Sequence, residues 1–124
     1  MKFLTQVPDE DLPGLYAGAE LFAMTPQESA KELEGFGIVY LEAAAMGLPS
    51  VATSTGGVPE AVVSDTTGLI VPAGDVAAIT DALTRLLDDK KLRVRLGTAG
   101  KRLARAASWD RRAQPLLAYI SSKL

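Results

Sequence analysis

Two hydrophobic periods alternate along the chain. Leu21–Met24, Ser50–Thr53 and Gly68–Val71 are short apolar runs bounded by Pro, Gly and Thr, the length and surroundings of buried strands. Between them the apolar positions recur at helical spacing. Pro8-Asp9-Glu10-Asp11 reads as an acid-rich helix start, continued by Leu12, Leu15, Tyr16 and Ala19. Good helix formers fill Ile38 to Met46 and stop at Gly47-Leu48-Pro49, and Gly56-Gly57-Val58-Pro59-Glu60 turns into a brief helix. Asp75 caps a helix with Val76, Ile79, Leu83, Leu86 and Leu87 on its apolar face. A second helix, Leu92 to Ala106, aligns Leu92, Leu96, Ala99 and Leu103. Ser108 caps a last one carrying Trp109, Leu116, Leu117 and Ile120. Strands alternating with helices predict an α/β fold, a parallel Rossmann-like sheet in a single domain over residues 1–124. Met1 to Val7 is a further strand-sized run without the apolar core of a signal peptide.

The stretch Glu34 to Glu42 reads EGFGIVYLE, with an acid at each end and a Gly-Phe-Gly turn after the first. Glycines at a helix start let a ligand approach bare backbone N–H groups, and the helix dipole favours an anion there. Eight residues of helix rise about 12 Å. Two carboxylates that far apart, with an anion-binding turn beside one, suit a long ligand carrying phosphates and hydroxyl-rich groups, the layout of a nucleotide-sugar. Gly35-x-Gly37 is not a dinucleotide fingerprint, because the third position that pattern needs is Tyr40 and the turn follows the wrong strand. No Walker sequence is present.

Composition narrows the chemistry. The 124 residues are 48% hydrophobic and 23% charged, which suits one soluble globular domain. No apolar run approaches the ~20 residues of a membrane span. Without cysteine there is no disulfide framework, and a cytosolic address is the default. Without histidine as well, no His-based triad and no ordinary zinc site can be built. A net charge of −2 argues against bulk nucleic-acid binding. Positive charge is nevertheless uneven, nine basic residues against Asp110 alone between Lys90 and Arg112. That is the pattern of a solvated helix face, with an anionic lipid surface as the sharper alternative.

The Glu-x7-Glu spacing, the EGFG turn, LEAAAMGLPSVAT, GGVPEAV and TTGLIVPAGD resemble the donor-binding half of glycosyltransferase family 4, which has the two-domain GT-B fold. The likeness covers nearly the whole chain. With GIVYLEA it looks most like the branch that includes bacterial mannosyltransferases acting on phosphoinositol lipids. The resemblance implies retaining hexosyl transfer from a nucleoside diphosphate sugar, by front-face attack assisted by the leaving phosphate and without a metal or other cofactor. It assigns Glu34 to the donor sugar beside the reacting carbon and Glu42 to ribose hydroxyls. The backbone N–H groups of Gly35, Phe36, Gly37, Ile38 and Val39 go to phosphate and sugar. Gly56 and Gly57 are second-rank candidates, and Arg111 and Arg112 are solvated.

The resemblance also implies that this is roughly half of a carboxyl-terminal domain. The strand beyond Leu21–Met24, with its pyrophosphate-binding basic residues, and an amino-terminal acceptor domain lie outside the sequence. This chain alone then does not complete the chemistry. A sheet truncated there has an open edge, so a homodimer is expected, with Met1–Val7 folding over the edge as the competing outcome. The rival to a donor-binding segment is a non-catalytic, self-associating or partner-binding module with a vestigial pocket. The expected location is cytoplasmic, with contact at the inner membrane face as an option.

Overall fold

Three parallel strands carry the fold. The computed structural model describes residues 1–27, 37–108, 118 and 121. In chain order the elements are α1 (Leu12–Ala17), β1 (Phe22–Met24), α2 (Ile38–Ala45), β2 (Ser50–Thr53), α3 (Val58–Ala61), β3 (Gly68–Val71), α4 (Val76–Asp88) and α5 (Lys90–Ala106). The sheet order is β1-β2-β3, with Phe22 opposite Ser50 and Ser50 opposite Gly68. This is the expected Rossmann-like α/β arrangement. Every residue of the central strand β2 is buried, because helices cover both faces of the sheet.

Alternation along the strands sorts the core into two halves. Val51, Leu69 and Val71 face Ala82 and Leu86 of α4 and Leu92 and Leu96 of α5. On the other face Ala52 packs with Tyr40 of α2 and with Val58, Ala61 and Val62 around α3. Leu86 and Leu96 are fully buried, and each such side chain stabilises the fold by about 1.5–3 kcal/mol. The Asp75 carboxylate accepts from the Ala78 N–H at 2.9 Å, the predicted cap, and Asp89 does the same for Leu92.

Several expectations are corrected. Met1 to Val7 forms no strand: Gln6 has φ 57°, which breaks the extended run, and Phe3 is 83% exposed. Val7 is the segment's one half-buried residue, too little apolar burial to offset the entropy of ordering an added strand. It therefore does not fold over the β1 edge. Helix α1 ends at Ala17, short of Ala19, and buries none of its residues. On α4, Val76 is 74% exposed and Leu87 is also exposed, while Ala82 joins the core. At about 100° per residue the buried arc centres near Leu86, and both outliers fall roughly 80–100° away. On α5 the contact face includes Gly97 and Gly100, both buried, with Ala99 and Leu103 half-buried beside them. The helix expected after Ser108, with Trp109, Leu116, Leu117, Tyr119 and Ile120, and the pair Arg111–Arg112 lie outside the described residues.

Candidate functional site

Parallel strands that share a direction gather their loops at one end, and ligands in open α/β sheets bind at the carboxyl ends of strands. Two of the singled-out segments lie there. Strand β1 ends at Met24 and Gly37 is the N-cap of α2, while the chain leaves β2 at Thr53 to reach Gly56 and Gly57. Two side chains hold the exit from β1. Tyr40 donates its hydroxyl to the Met24 carbonyl at 2.7 Å, and Thr53 donates to the Pro26 carbonyl at 2.7 Å.

Gly37 has φ 66° and is buried. That left-handed conformation favours glycine, and a Cβ there would meet the Tyr40 ring at 2.7 Å. The Gly37 carbonyl accepts from the Tyr40 N–H, opening the helix. Next along the chain, Ile38 stands 65% exposed at the first helical position and Val39 is half-buried. Gly56 is exposed with φ 49°, and Gly57 is the half-buried N-cap of α3. The Ala61 side chain of α3 lies 3.9 Å from the position a Gly37 Cβ would take, so the α2 start packs beside the helix that the glycine loop opens. Glu34, Gly35 and Phe36 lie outside the described residues.

Glu42 is exposed on α2. The apolar sequence around it suggests little polar company. The structure supplies some from another element: Tyr16 of α1 donates its hydroxyl to Glu42 Oε2 at 3.1 Å. Burial, then this hydrogen bond, then the negative charge of Glu42 raise the Tyr16 pKa above its ordinary 10.0. Together with Asp9, Leu12, Pro13 and Met46 the pair lines an open depression of about 440 Å³.

Two further residues bear on the site without having been singled out. Tyr16 appears in the sequence only as a helical apolar position, and its partner is 26 residues away. Thr55, between β2 and the glycine loop, is only 5% exposed, and its hydroxyl has no hydrogen-bond partner among the described residues. Its own backbone carbonyl accepts from Val58, at the start of α3. Among the described residues no cluster of His, Cys, Asp or Glu could hold a metal ion, and no helix is long and apolar enough to cross a membrane.

Known proteins share this fold. A family model described as glycosyl transferases group 1 matches residues 1–103. The chain is similar to the GDP-mannose-dependent alpha-(1-6)-phosphatidylinositol monomannoside mannosyltransferase of Mycolicibacterium smegmatis, 43% identical over 104 residues, covering 82% of this chain and 27% of that protein. A D-inositol 3-phosphate glycosyltransferase of Corynebacterium efficiens is 38% identical over 121 residues, 98% of this chain and 27% of the relative. Among solved structures, sucrose-phosphate synthase from Thermosynechococcus elongatus superposes with a TM-score of 0.79 at 29% identity, over 98% of this chain and 29% of that one. Anabaena Alr3699/HepE in complex with UDP superposes with a TM-score of 0.75 at 25% identity, over 90% of this chain and 30% of that one. The structural neighbours are GT-B glycosyltransferases. The chain spans about a quarter to a third of the length of the curated relatives it matches, 27% and 33% in two of them.

Proposed function

Because the chain belongs to the glycosyl transferases group 1 family, we propose that it is the nucleotide-sugar-binding segment of a retaining glycosyltransferase. The observation that carries this reading is the start of α2: a left-handed glycine opens a helix at the carboxyl edge of the sheet, and Glu42 stands exposed further along the same helix. In this reading the N–H groups of Gly35 to Val39 donate to the diphosphate and the sugar, and Glu42 accepts from ribose hydroxyls. Glu34 contacts the transferred sugar. Gly56 and Gly57 border the same space as second-rank contacts.

Transfer would rest on stabilising the charge that develops on the departing diphosphate, not on a side-chain nucleophile. The helix N-terminus supplies part of that stabilisation, and the reading invokes no metal or cofactor. GDP-mannose is the first donor to test, because the names of the most similar mannosyltransferases specify it. The acceptor site is assigned to an amino-terminal domain of a longer protein, so complete activity is not expected from these residues alone. The outer face of α5, where Lys90, Lys91, Arg95 and Arg102 line an open groove, supports contact with an anionic membrane surface.

Titration calorimetry of the chain with GDP, UDP and ADP, and with their sugar conjugates, tests the donor reading. Saturable binding of one nucleoside diphosphate supports it, and no heat from any of them refutes it.

A second reading, a self-associating module, has one observation in its favour. Strand β1 pairs only with β2 among the described residues, so its other edge offers unpaired N–H and C=O groups to a second copy. Light scattering over a hundredfold dilution should give a falling mass if a homodimer forms there. A constant monomer mass refutes it.

A further inference from the structure

Glu42 is an exposed side chain on a helix surface, and such a side chain ordinarily samples several rotamers. Fixing it in one costs on the order of 1–2 kcal/mol of conformational freedom. Here one of its oxygens is already engaged. The Tyr16 hydroxyl donates to Oε2 at 3.1 Å, and the Tyr16 ring is held by its own neighbours. It lies with its centroid 6.1 Å from the ring of Phe22, which meets Tyr40 edge-on at 5.5 Å. Tyr40 in turn is tied to the Met24 carbonyl. Three rings thus connect the phenol of α1 to β1 and to the core side of α2. A carboxylate offers about four acceptor positions, so the bond from Tyr16 leaves Oε1 and the remaining lone pair of Oε2 open.

We propose that Tyr16 is a positioning residue for nucleotide recognition: it fixes the Glu42 carboxylate over the depression that the two residues share, so that the free oxygen meets a ribose hydroxyl without first being ordered. This rests on the nucleotide-sugar reading of the site. Tyr16 itself makes no contact with the phosphates or the sugar. Its contribution is preorganisation, which lowers the entropy lost on binding. At neutral pH the phenol keeps its proton, because burial and the adjacent carboxylate both disfavour the phenolate. The donor is therefore present under all ordinary assay conditions.

The test uses Tyr16→Phe, which removes the hydroxyl and keeps the ring against Phe22. Calorimetry on the whole chain compares GDP with its 2′-deoxy and 3′-deoxy analogues, in the parent, in Tyr16→Phe and in Glu42→Ala. The expected result is a loss of roughly three- to tenfold in GDP affinity for Tyr16→Phe. Affinity for the analogue lacking the hydroxyl that Glu42 holds should hardly change, so the ribose-to-deoxyribose ratio contracts. In the double variant, Tyr16→Phe should add nothing to Glu42→Ala. Equal losses on ribose and deoxyribose ligands would reveal a merely structural role and overturn the proposal, as would unchanged GDP binding. Those failures differ from failure of the nucleotide reading itself, in which the parent chain binds no nucleoside diphosphate. Circular dichroism melts accompany each variant. A Tyr16→Phe melt matching the parent beside a contracted ratio supports positioning, and a contracted ratio in Tyr16→Phe absent from Glu42→Ala overturns it.

Discussion

Replacing Gly97 by alanine should destabilise the protein, whereas the same change at Gly100, one turn further along α5, should be close to neutral. Both glycines are buried where α5 crosses the C-terminal end of α2. That end closes in a Schellman turn: the Gly47 N–H bonds the Ala44 carbonyl at 2.9 Å, the Leu48 N–H bonds the Ala43 carbonyl at 3.0 Å, and Gly47 has φ 81°. A methyl built on Gly97 would lie 2.9 Å from the Gly47 carbonyl carbon and nearer still to its oxygen. Both partners are backbone, so relief requires the two helices to separate. Overpacking of this kind costs about 1–3 kcal/mol, and two rigid backbones put it at the upper end. Alanine regains about 0.8–1.0 kcal/mol of helix propensity over glycine. The net loss is then about 2 kcal/mol, or roughly 6–10 °C in melting temperature for a domain of this size. At Gly100 the added methyl would meet the Ala44 Cβ at 3.4 Å, an ordinary contact, so the propensity gain should roughly offset the crowding. Urea unfolding followed by circular dichroism, with m unchanged, measures both. If Gly97→Ala proves as stable as Gly100→Ala, α2 and α5 are not locked at this crossing and the reasoning fails. A displaced α2 would also carry Gly37 and Glu42 with it, so weakened nucleotide binding should accompany the loss of stability.

Glu42→Ala should weaken binding of free nucleoside diphosphate by about 1.5–3 kcal/mol, while Glu34→Ala should act mainly on the sugar-bearing form; equal effects of both on the bare nucleotide would rule out this division of roles. Because the Tyr16 pKa is raised in the folded chain, the native state holds that proton more tightly than the unfolded state does. Its stabilisation is complete below the ordinary value of 10.0 and is lost as pH rises through the raised value, so Tyr16→Phe should lose less stability than the parent between about pH 9 and 11. Denaturant midpoints across that range would decide it, and parallel curves would contradict it. Thr55→Val should stabilise the ligand-free chain by about 1 kcal/mol, since it replaces a buried hydroxyl that has no partner among the described residues with an isosteric methyl. A destabilised Thr55→Val in thermal melts would mean that the hydroxyl is satisfied after all.

Much of the scaffold was legible because it depends on local patterns. Strands β2 and β3 begin and end at the expected residues, since apolar runs bounded by turn residues leave little freedom for a buried central strand or its neighbour. Asp75 caps α4 as its sequence suggests. What depends on tertiary partners was less visible. Leu21 packs on the α4–α5 side of the core just before β1 begins, and the outward turn of Val76 and Leu87 follows from where α4 meets the sheet. The Gly97–Gly100 face left no hydrophobic signal, because its role is to let another backbone come close.

The site divides along the same line. Gly35, Gly37 and Glu42 could be singled out because they sit within eight residues of one another in a recognisable sequence pattern. Gly37 takes the left-handed backbone that explains why glycine stands there. Tyr16 could not, because its hydroxyl acquires a partner only when the fold brings α1 beside α2, with the Tyr16 ring near Phe22. In the sequence it is one apolar position on a short helix that buries no residue. The contact nevertheless changes how Glu42 can act. A lone exposed glutamate must lose rotamer freedom on meeting a ribose, and that loss offsets much of a hydrogen bond worth only about 1.5–3 kcal/mol to a charged group. A glutamate already held by a half-buried phenol keeps more of it. On the proposed reading, recognition by this helix would depend on α1 as well as on Gly37, and replacing α1 residues around Tyr16 should alter nucleotide affinity without touching any ligand atom.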